Sequence, residues 1–427
     1  MSGERSCGMM DKTLLKKAAL QSVALMLVVL TSSFALKQYQ AVSIEAVSRY
    51  AKAATSDNTD ALQSMANTQT TQPDTAQPVI ELTQVQKLLT GADPDILKQL
   101  GDNYLVIKKP AGSQLSLSLK DIYINKSIQL TLTGMEDKEL TSLNISRIRG
   151  EEIFNGDPKY TETTATQTDE DGNSKEVVTR DYGEDISHGI TITAKQADAA
   201  GEYTAQILME LDSVYVYTIY EDTAYYYINL QKPSEVYDKI LVIDAGHGGK
   251  DGGAVSKNGK YFEKNMNLAI LLELKKLLDK EDIKVYYTRT SDSTVYLRPR
   301  VELANAVDCD YFISIHCNSN LVTSPNGSEV LYYNNEFKGV RALDLAKLFS
   351  KELGNTIPLE NKGTVERHYE DIYIMDKSKV PMILIEVGYL SNNKDLNYIT
   401  QPEGQKAIAQ GIYNGIMKAY EELPVDK

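Results

Sequence analysis

The chain has 427 residues and a formal net charge of −14, with three cysteines, four histidines and no tryptophan. That length exceeds one ordinary core and predicts about two to three domains. Three cysteines cannot build a disulfide framework, and the acidic excess argues against a nucleic-acid binder, which needs clustered Lys and Arg.

The charge is unevenly placed. Residues 1–36 hold four basic and two acidic residues, residues 37–238 hold 17 and 31, and residues 239–427 hold 24 and 26. The acidic excess therefore belongs to the middle segment, which predicts a boundary near residue 238.

In chain order, Lys12, Lys16 and Lys17 precede an apolar run from Ala18 to Leu36. A run of this length is near the roughly 20 residues that span a bilayer as a helix. The basic flank places everything after it outside the membrane. Residues 1–36 read as a signal anchor or a signal peptide, with Ser33 and Ala35 offering a small-x-small cleavage pattern. Residues 37–78 are rich in Ala, Thr, Gln, Ser and Asp. They bury too little apolar surface to order themselves and read as a disordered spacer.

From residue 79 to 234 the pattern turns β-rich. A short helix is expected at Leu82–Leu89. Alternating segments follow at Tyr104–Lys108, Gln114–Leu119, Ser127–Thr133, Gly189–Ala194, Tyr203–Leu211, Val214–Tyr220 and Ala224–Leu230. This spacing predicts an all-β sandwich-like domain. Thr161–Gly172 is polar and reads as a long exposed hairpin loop. The last two segments form a hairpin loaded with tyrosine. Those rings either make a sugar-stacking platform or fill and flank a sheet face.

From Lys239 onward strands and helices alternate. Strands are expected at Lys239–Asp244, Ile283–Arg289, Tyr311–His316, Ser328–Tyr333 and Met382–Val387. Helices are expected at Asn267–Asp279, Val301–Val307, Val340–Leu353 and Glu403–Glu421. This predicts an α/β domain over 239–427, its sheet mostly parallel or mixed, with helices on both faces.

Three of these strands run into chemically able residues. Lys239–Asp244 leads into Ala245-Gly246-His247-Gly248-Gly249, Tyr311–Ile315 into His316-Cys317-Asn318, and Pro381–Ile385 into Glu386-Val387-Gly388-Tyr389. In open α/β sheets, ligands bind beyond the carboxyl ends of strands, so His247, His316 and Glu386 are drawn to one edge. Two histidines and a carboxylate make a common hydrolytic zinc set. Several carboxylates qualify from the residues alone. Glu263 is attractive because it follows a Gly-rich loop and opens a helix.

The series Asp244-x-Gly-His-Gly-Gly, Glu263 with Asn267, Thr288-Arg289-x-x-Asp292, Ser314-Ile315-His316-x-Asn318 and Glu386-x-Gly-x-x-Ser391-Asn392 resembles the zinc N-acetylmuramoyl-L-alanine amidases of the amidase-3 type over residues 239–421. The resemblance implies that His247, Glu263 and His316 bind one Zn2+ and that Glu386 is the catalytic carboxylate. It implies hydrolysis of the amide between N-acetylmuramic acid and L-alanine of peptidoglycan. Asp244, Asn267, Arg289 and Asn318 are expected behind the ligands or on substrate, with Arg289 either binding a substrate carboxylate or pairing with Asp292. Ala245 stands where the family often has proline and Tyr389 where it often has phenylalanine, and neither departure removes a ligand or the base. Cys309 and Cys317 are expected as buried small apolar residues, and His188 and His368 as solvated. The resemblance leaves little room for a plugging helix between His316 and Lys362. It implies peptidoglycan as partner and the bacterial cell wall as workplace, while the N-terminal run predicts contact with membrane through residues 18–36 and an extracytoplasmic place, membrane-anchored or secreted, and the acidic charge predicts no nucleic acid. The β-rich domain is a candidate docking site for a protein partner. A catalytically inactive wall-binding protein and a zinc peptidase acting on stem peptides are the competing readings.

Overall fold

In the computed structural model, the described residues are 82–110, 114–135, 143, 145–168, 174–196 and 203–426. The expectations for residues 1–78 lie outside them. Among the described residues, no helix is long and apolar enough to cross a membrane.

The chain opens with helices α1 (Gln84–Leu88) and α2 (Pro94–Leu97). Thr83 caps α1 in a reciprocal capping box with Gln86, satisfying two otherwise unpaired amides. Eleven strands follow: β1 (Asn103–Lys108), β2 (Ser116–Ile122), β3 (Ser127–Met135), β4 (Ile145–Arg149), β5 (Glu152–Phe154), β6 (Thr161–Thr168), β7 (Ser174–Asp181), β8 (Ser187–Gln196), β9 (Tyr203–Leu211), β10 (Val216–Glu221) and β11 (Tyr225–Gln231). They form a five-stranded sheet, β10-β11-β1-β4-β5, and a four-stranded sheet, β2-β3-β9-β8, with β6 and β7 paired on their own.

A core containing Leu105, Ile107, Leu130, Leu132, Ile207 and Ile228 draws on both larger sheets. Alternation along β1, β3 and β9 supplies it, since every second side chain faces inward. A smaller core forms around Val85 and Leu89 near α1, with Tyr104, Val106, Tyr225 and Tyr227. Tyr225, Tyr226 and Tyr227 are buried, while Tyr217 and Tyr220 on β10 are half-buried. The rings fill the two sides of the sheet.

Strands β4 to β7 were not expected from the sequence, and two of them show why. Thr161–Gly172 begins as a true strand, because threonine is β-branched and favours extended backbone even when exposed. Strand β4, absent from the expectation, reads as polar, Ile-Ser-Arg-Ile-Arg, yet is buried along most of its length. Arg147 is buried there because Asp185 takes its Nε at 2.7 Å and its Nη2 at 2.6 Å. A paired charge can enter a core that an unpaired one cannot.

After α3 (Pro233–Val236) come β12 (Ile240–Ala245), α4 (Glu263–Leu278), β13 (Lys284–Tyr287), α5 (Leu297–Ala306), β14 (Tyr311–Asn318) and β15 (Ser328–Tyr333). The short β16 (Glu336–Phe337) and β17 (Val340–Arg341) precede α6 (Ala342–Thr356), β18 (Asn361–Arg367), α7 (Tyr373–Asp376), β19 (Met382–Tyr389), α8 (Asn393–Ile399) and α9 (Pro402–Glu422). The main sheet has the order β13-β12-β14-β19-β15-β18. Its strands pair in parallel except β15 with β19, so the sheet is mixed. Strand β18 was not expected from the sequence. The expected helix from Val340 begins instead at Ala342, after the β16–β17 pair.

One core cluster joins the sheet to residues of α4, α6 and α9. A second joins it to residues of α5 and α7. The sheet is thus covered on both faces, and β12, one strand in from the β13 edge, is buried throughout. Residues Glu81–Lys427 cluster as one compact unit. Within it, the β-rich part meets the edge strand β13. The Tyr123 hydroxyl donates to the Tyr287 carbonyl at 2.9 Å, and the Tyr123 ring meets Tyr286 edge-on at 5.1 Å. Burial beside Lys284 pushes the Asp121 carboxyl up to about 6, because the attraction of the ammonium only partly offsets the lost hydration. Contacts of this kind cover a sheet edge that would otherwise be open to pairing.

Candidate metal centre and active site

The register of the sheet sets the site. Ala245 of β12 lies beside Ile315 of β14, and His316 lies beside Glu386 of β19. Three neighbouring strands therefore deliver their carboxyl ends to one place. His247 stands two residues beyond β12 with a left-handed backbone, φ 63°. Glu263 is the first residue of α4, where a carboxylate is favoured by the helix dipole.

The side chains of His247, Glu263 and His316 converge, with one candidate ligand atom from each within 4.8 Å of the others. His247 Nε2 is 3.1 Å from Glu263 Oε2, and His316 Nδ1 is 2.8 Å from Glu263 Oε1. The two imidazoles meet edge-on at 4.9 Å. Glu263 is buried, and its oxygens also accept the amides of Ala254 at 2.8 Å and Cys317 at 3.1 Å. Burial alone would raise its pKa. The hydrogen bonds from His247 and His316 outweigh that and hold it well below the usual carboxylate range. Burial likewise pulls His247 down, but the bonds to Glu263 and Asp251 carry it up to about 9. His316 is raised too, its burial overcome by Glu263.

Glu386 differs from Glu263. Burial, with the negative charge of Glu263 and Glu329, pushes it up to about 7, against an opposing pull from His316. Its Oε2 is sealed from solvent and has no hydrogen-bond partner. Such an orphaned buried acceptor calls for a functional explanation.

The supporting residues are held by buried networks. Asp244 accepts from Thr288 Oγ1 and Ser314 Oγ, each at 2.6 Å, and from Arg300 Nη1. Asn267 Nδ2 donates to the Gly246 carbonyl at 3.2 Å and to Glu263 Oε1 at 3.3 Å. Arg289 is buried and donates to the carbonyls of Ala245, Gly246, Lys264 and Ser291. Its guanidinium braces the loop around His247. Asp292 instead accepts from Lys264 Nζ at 2.8 Å and the Gly249 amide at 2.7 Å. Asn318 donates to Glu329 Oε1 at 2.8 Å and so acts next to Glu386, away from His247. Cys309 and Cys317 are buried free thiols, both raised by burial. His188 and His368 are exposed, His188 stacking on Tyr182.

Three residues escape the sequence reading. Asp251 Oδ2 accepts from His247 Nδ1 at 2.7 Å. Arg300 binds Asp244 and the carbonyls of Ala245, His247 and Val295. Glu329 is the cross-strand partner of Glu386. The spacing of Asp251 four residues after His247 was the one visible signal. Asp251→Asn is expected to lower metal affinity about 10–100-fold, because the carboxylate fixes the Nδ1–H tautomer and frees Nε2. Competition against a chelating dye measures it.

Residues 241–418 match the family described as N-acetylmuramoyl-L-alanine amidase. The chain is 34% identical over 192 residues to the uncharacterized protein YqiI of Bacillus subtilis, covering 45% of this chain and 90% of that one. It is 32% identical over 198 residues to the germination-specific N-acetylmuramoyl-L-alanine amidase of the same organism, covering 43% of this chain and 81% of that one. The chain belongs to the N-acetylmuramoyl-L-alanine amidase family. A solved structure of the catalytic domain of CwlV, from Bacillus (Paenibacillus) polymyxa var. colistinus, is also similar to this amidase, at 33% identity and a TM-score of 0.40. That similarity covers 43% of this chain and 98% of that one. In this amidase the matched stretch begins inside β12 and ends inside α9, so it takes in all of the converging residues.

Proposed function

We infer that this protein is a cell-wall hydrolase that cleaves the amide between the lactyl group of N-acetylmuramic acid and L-alanine of the peptidoglycan stem peptide. The observation that carries the reading is the convergence of His247, Glu263 and His316 beside Glu386, whose buried Oε2 has no partner.

The donors fit zinc. Two imidazoles and one carboxylate from three separate elements form a ligand set that leaves room for water and substrate. Bound there, zinc would lower the pKa of water toward about 7 and polarise the scissile carbonyl. The Glu386 carboxylate accepts the proton of the attacking water and passes it to the departing L-alanine nitrogen. The second transfer matters because an amine anion is a very poor leaving group. Asp251 keeps the Nδ1 proton on His247, and Asn267 steadies the Glu263 carboxylate. Asp244, locked by Arg300, Thr288 and Ser314, fixes the end of β12 from which the His247 loop departs.

On this reading the protein acts outside the bacterial membrane, tethered or exported through the apolar run Ala18–Leu36. The β-rich part braces the amidase domain at β13. Digestion of purified peptidoglycan by the full chain, followed by mass spectrometry, tests the reaction. Whole stem peptides with a free L-alanine amino group and peptide-free glycan are expected. Chelator should abolish their release and added zinc restore it. Cuts within the stem peptide, or chelator-resistant release, would overturn the reading.

A further inference from the structure

A cleft of about 280 Å3 leads from His247 and His316 to the starts of α5 and α7. Asp251, His247, Tyr296, Leu297 and the buried Ile374 are among the residues that line it. Tyr296 is 73% exposed and Leu297 54% exposed. Both side chains line the cleft, so their exposed apolar surface faces the space beside the metal donors. The placement of tyrosine supports this. Among the described residues, four tyrosines are exposed, and three of them, Tyr296, Tyr369 and Tyr373, stand at the start of α5 or at and just before the start of α7. The tyrosines of the β10–β11 hairpin, by contrast, are largely buried.

The mount of Tyr296 is rigid. Arg300 Nη2 donates both to the His247 carbonyl at 2.7 Å and to the Val295 carbonyl at 2.8 Å. One buried guanidinium thus ties the residue before Tyr296 to a candidate metal ligand. The backbone that carries Tyr296 is thus held beside the reacting centre before substrate arrives, which lowers the ordering cost of binding.

The scissile amide has a sugar on one side and a charged peptide on the other. Beyond His316 the site carries Glu386, Glu329 and Arg367, groups suited to a peptide. The α5 wall presents an aromatic face and aliphatic carbon instead. A pyranose ring has an apolar C–H face that packs on such a ring while its hydroxyls stay free to hydrogen-bond.

We propose that Tyr296, with Leu297 beside it, forms a saccharide subsite on which the muramoyl side of the substrate rests, so that the glycan leaves the metal centre over α5 and the stem peptide over β19. The proposal rests on the amide-hydrolysis reading above.

The chain has no tryptophan, so Tyr296→Trp installs a single indole reporter on this wall. Full-length Tyr296→Trp is titrated with peptide-free N-acetylglucosaminyl-N-acetylmuramic acid and, separately, with free stem peptide. A saturable change in emission with the disaccharide and none with the peptide is expected. A change with the peptide alone, or with neither, overturns the subsite. A kinetic arm compares a disaccharide-bearing muropeptide with a lactoyl peptide lacking sugar. Tyr296→Ala should reduce the preference for the former about tenfold, through KM and not kcat, a loss typical of one aromatic contact. Equal losses on both substrates would also overturn it. The fluorescence arm needs no turnover, so its failure counts against the subsite alone. Failure of the unaltered protein to release L-alanine amino groups counts against amide hydrolysis.

Discussion

Replacing Glu386 with glutamine is expected to lower kcat on peptidoglycan by roughly 10²–10⁴-fold, the usual worth of a positioned general acid–base group. Glutamine has nearly the same shape but cannot take a proton. Zinc content should stay near one per chain, because Glu386 is not among the three converging donors. KM should change little, since the lost interaction belongs to the transition state. Burial raises Glu386 to about 7, and a nearby divalent cation would draw it lower, so the acid limb of the parent rate is expected at or below about pH 7. The limb should vanish from the residual activity of the variant.

The same substitution has an opposite effect on stability. With its pKa raised in the folded state, Glu386 binds more protons folded than unfolded between its ordinary value and about 7. Stability then falls as pH rises through that window. In chelator-treated protein, Glu386→Gln should remove this slope and be at least as stable as the parent at pH 8, measured by chemical denaturation. A variant that loses both activity and stability there would show that Glu386 serves the fold. Gain in stability with loss of turnover is the pattern expected of a group kept for chemistry.

The parts of the fold that were legible in the sequence are those where one physical rule dominates. The inner strands β12, β14 and β19 open as continuous apolar runs because both faces are covered, and the chemistry stands where each run gives out: His247 two residues past β12, His316 and Glu386 in the last half of β14 and β19. His247, Glu263 and His316 could be picked out because metal donors must leave an apolar strand or open a helix abruptly. Strand β4 was hidden because its burial depends on Asp185, 38 residues from Arg147 in the chain, and no local pattern reports that pairing. The sequence leaves Arg289 open between a place behind the ligands and one on substrate, because it gives the charge but not the ring of carbonyls around it. Asp251 and Arg300 act through bonds to His247 and its backbone, and their roles exist only once the loop is closed.

The second large effect is expected from a residue that donates nothing to the site. Gly253 has φ +64°, and a Cβ placed there would lie 2.6 Å from His247 Cδ2 and 2.7 Å from Glu263 Oε2. Both neighbours are candidate metal ligands, and Glu263 is buried and hydrogen-bonded, so neither can yield without moving the other. Gly253→Ala is expected to cut kcat/KM about 10²-fold or more, because a displacement of about 1 Å at a reacting centre has effects of that size. Zinc affinity should fall with it. Left-handed backbone alone would also disfavour alanine, by roughly 1–2 kcal/mol. Gly259 separates the two causes. It lies in the same loop with φ +70°, and a Cβ there meets nothing within 4 Å. Gly259→Ala should therefore show a similar backbone penalty in thermal denaturation while keeping zinc and activity near parental levels. If both variants lost activity alike, the loop conformation would be the controlling factor. If only Gly253→Ala does, the space reserved beside His247 and Glu263 is what the glycine is there to keep.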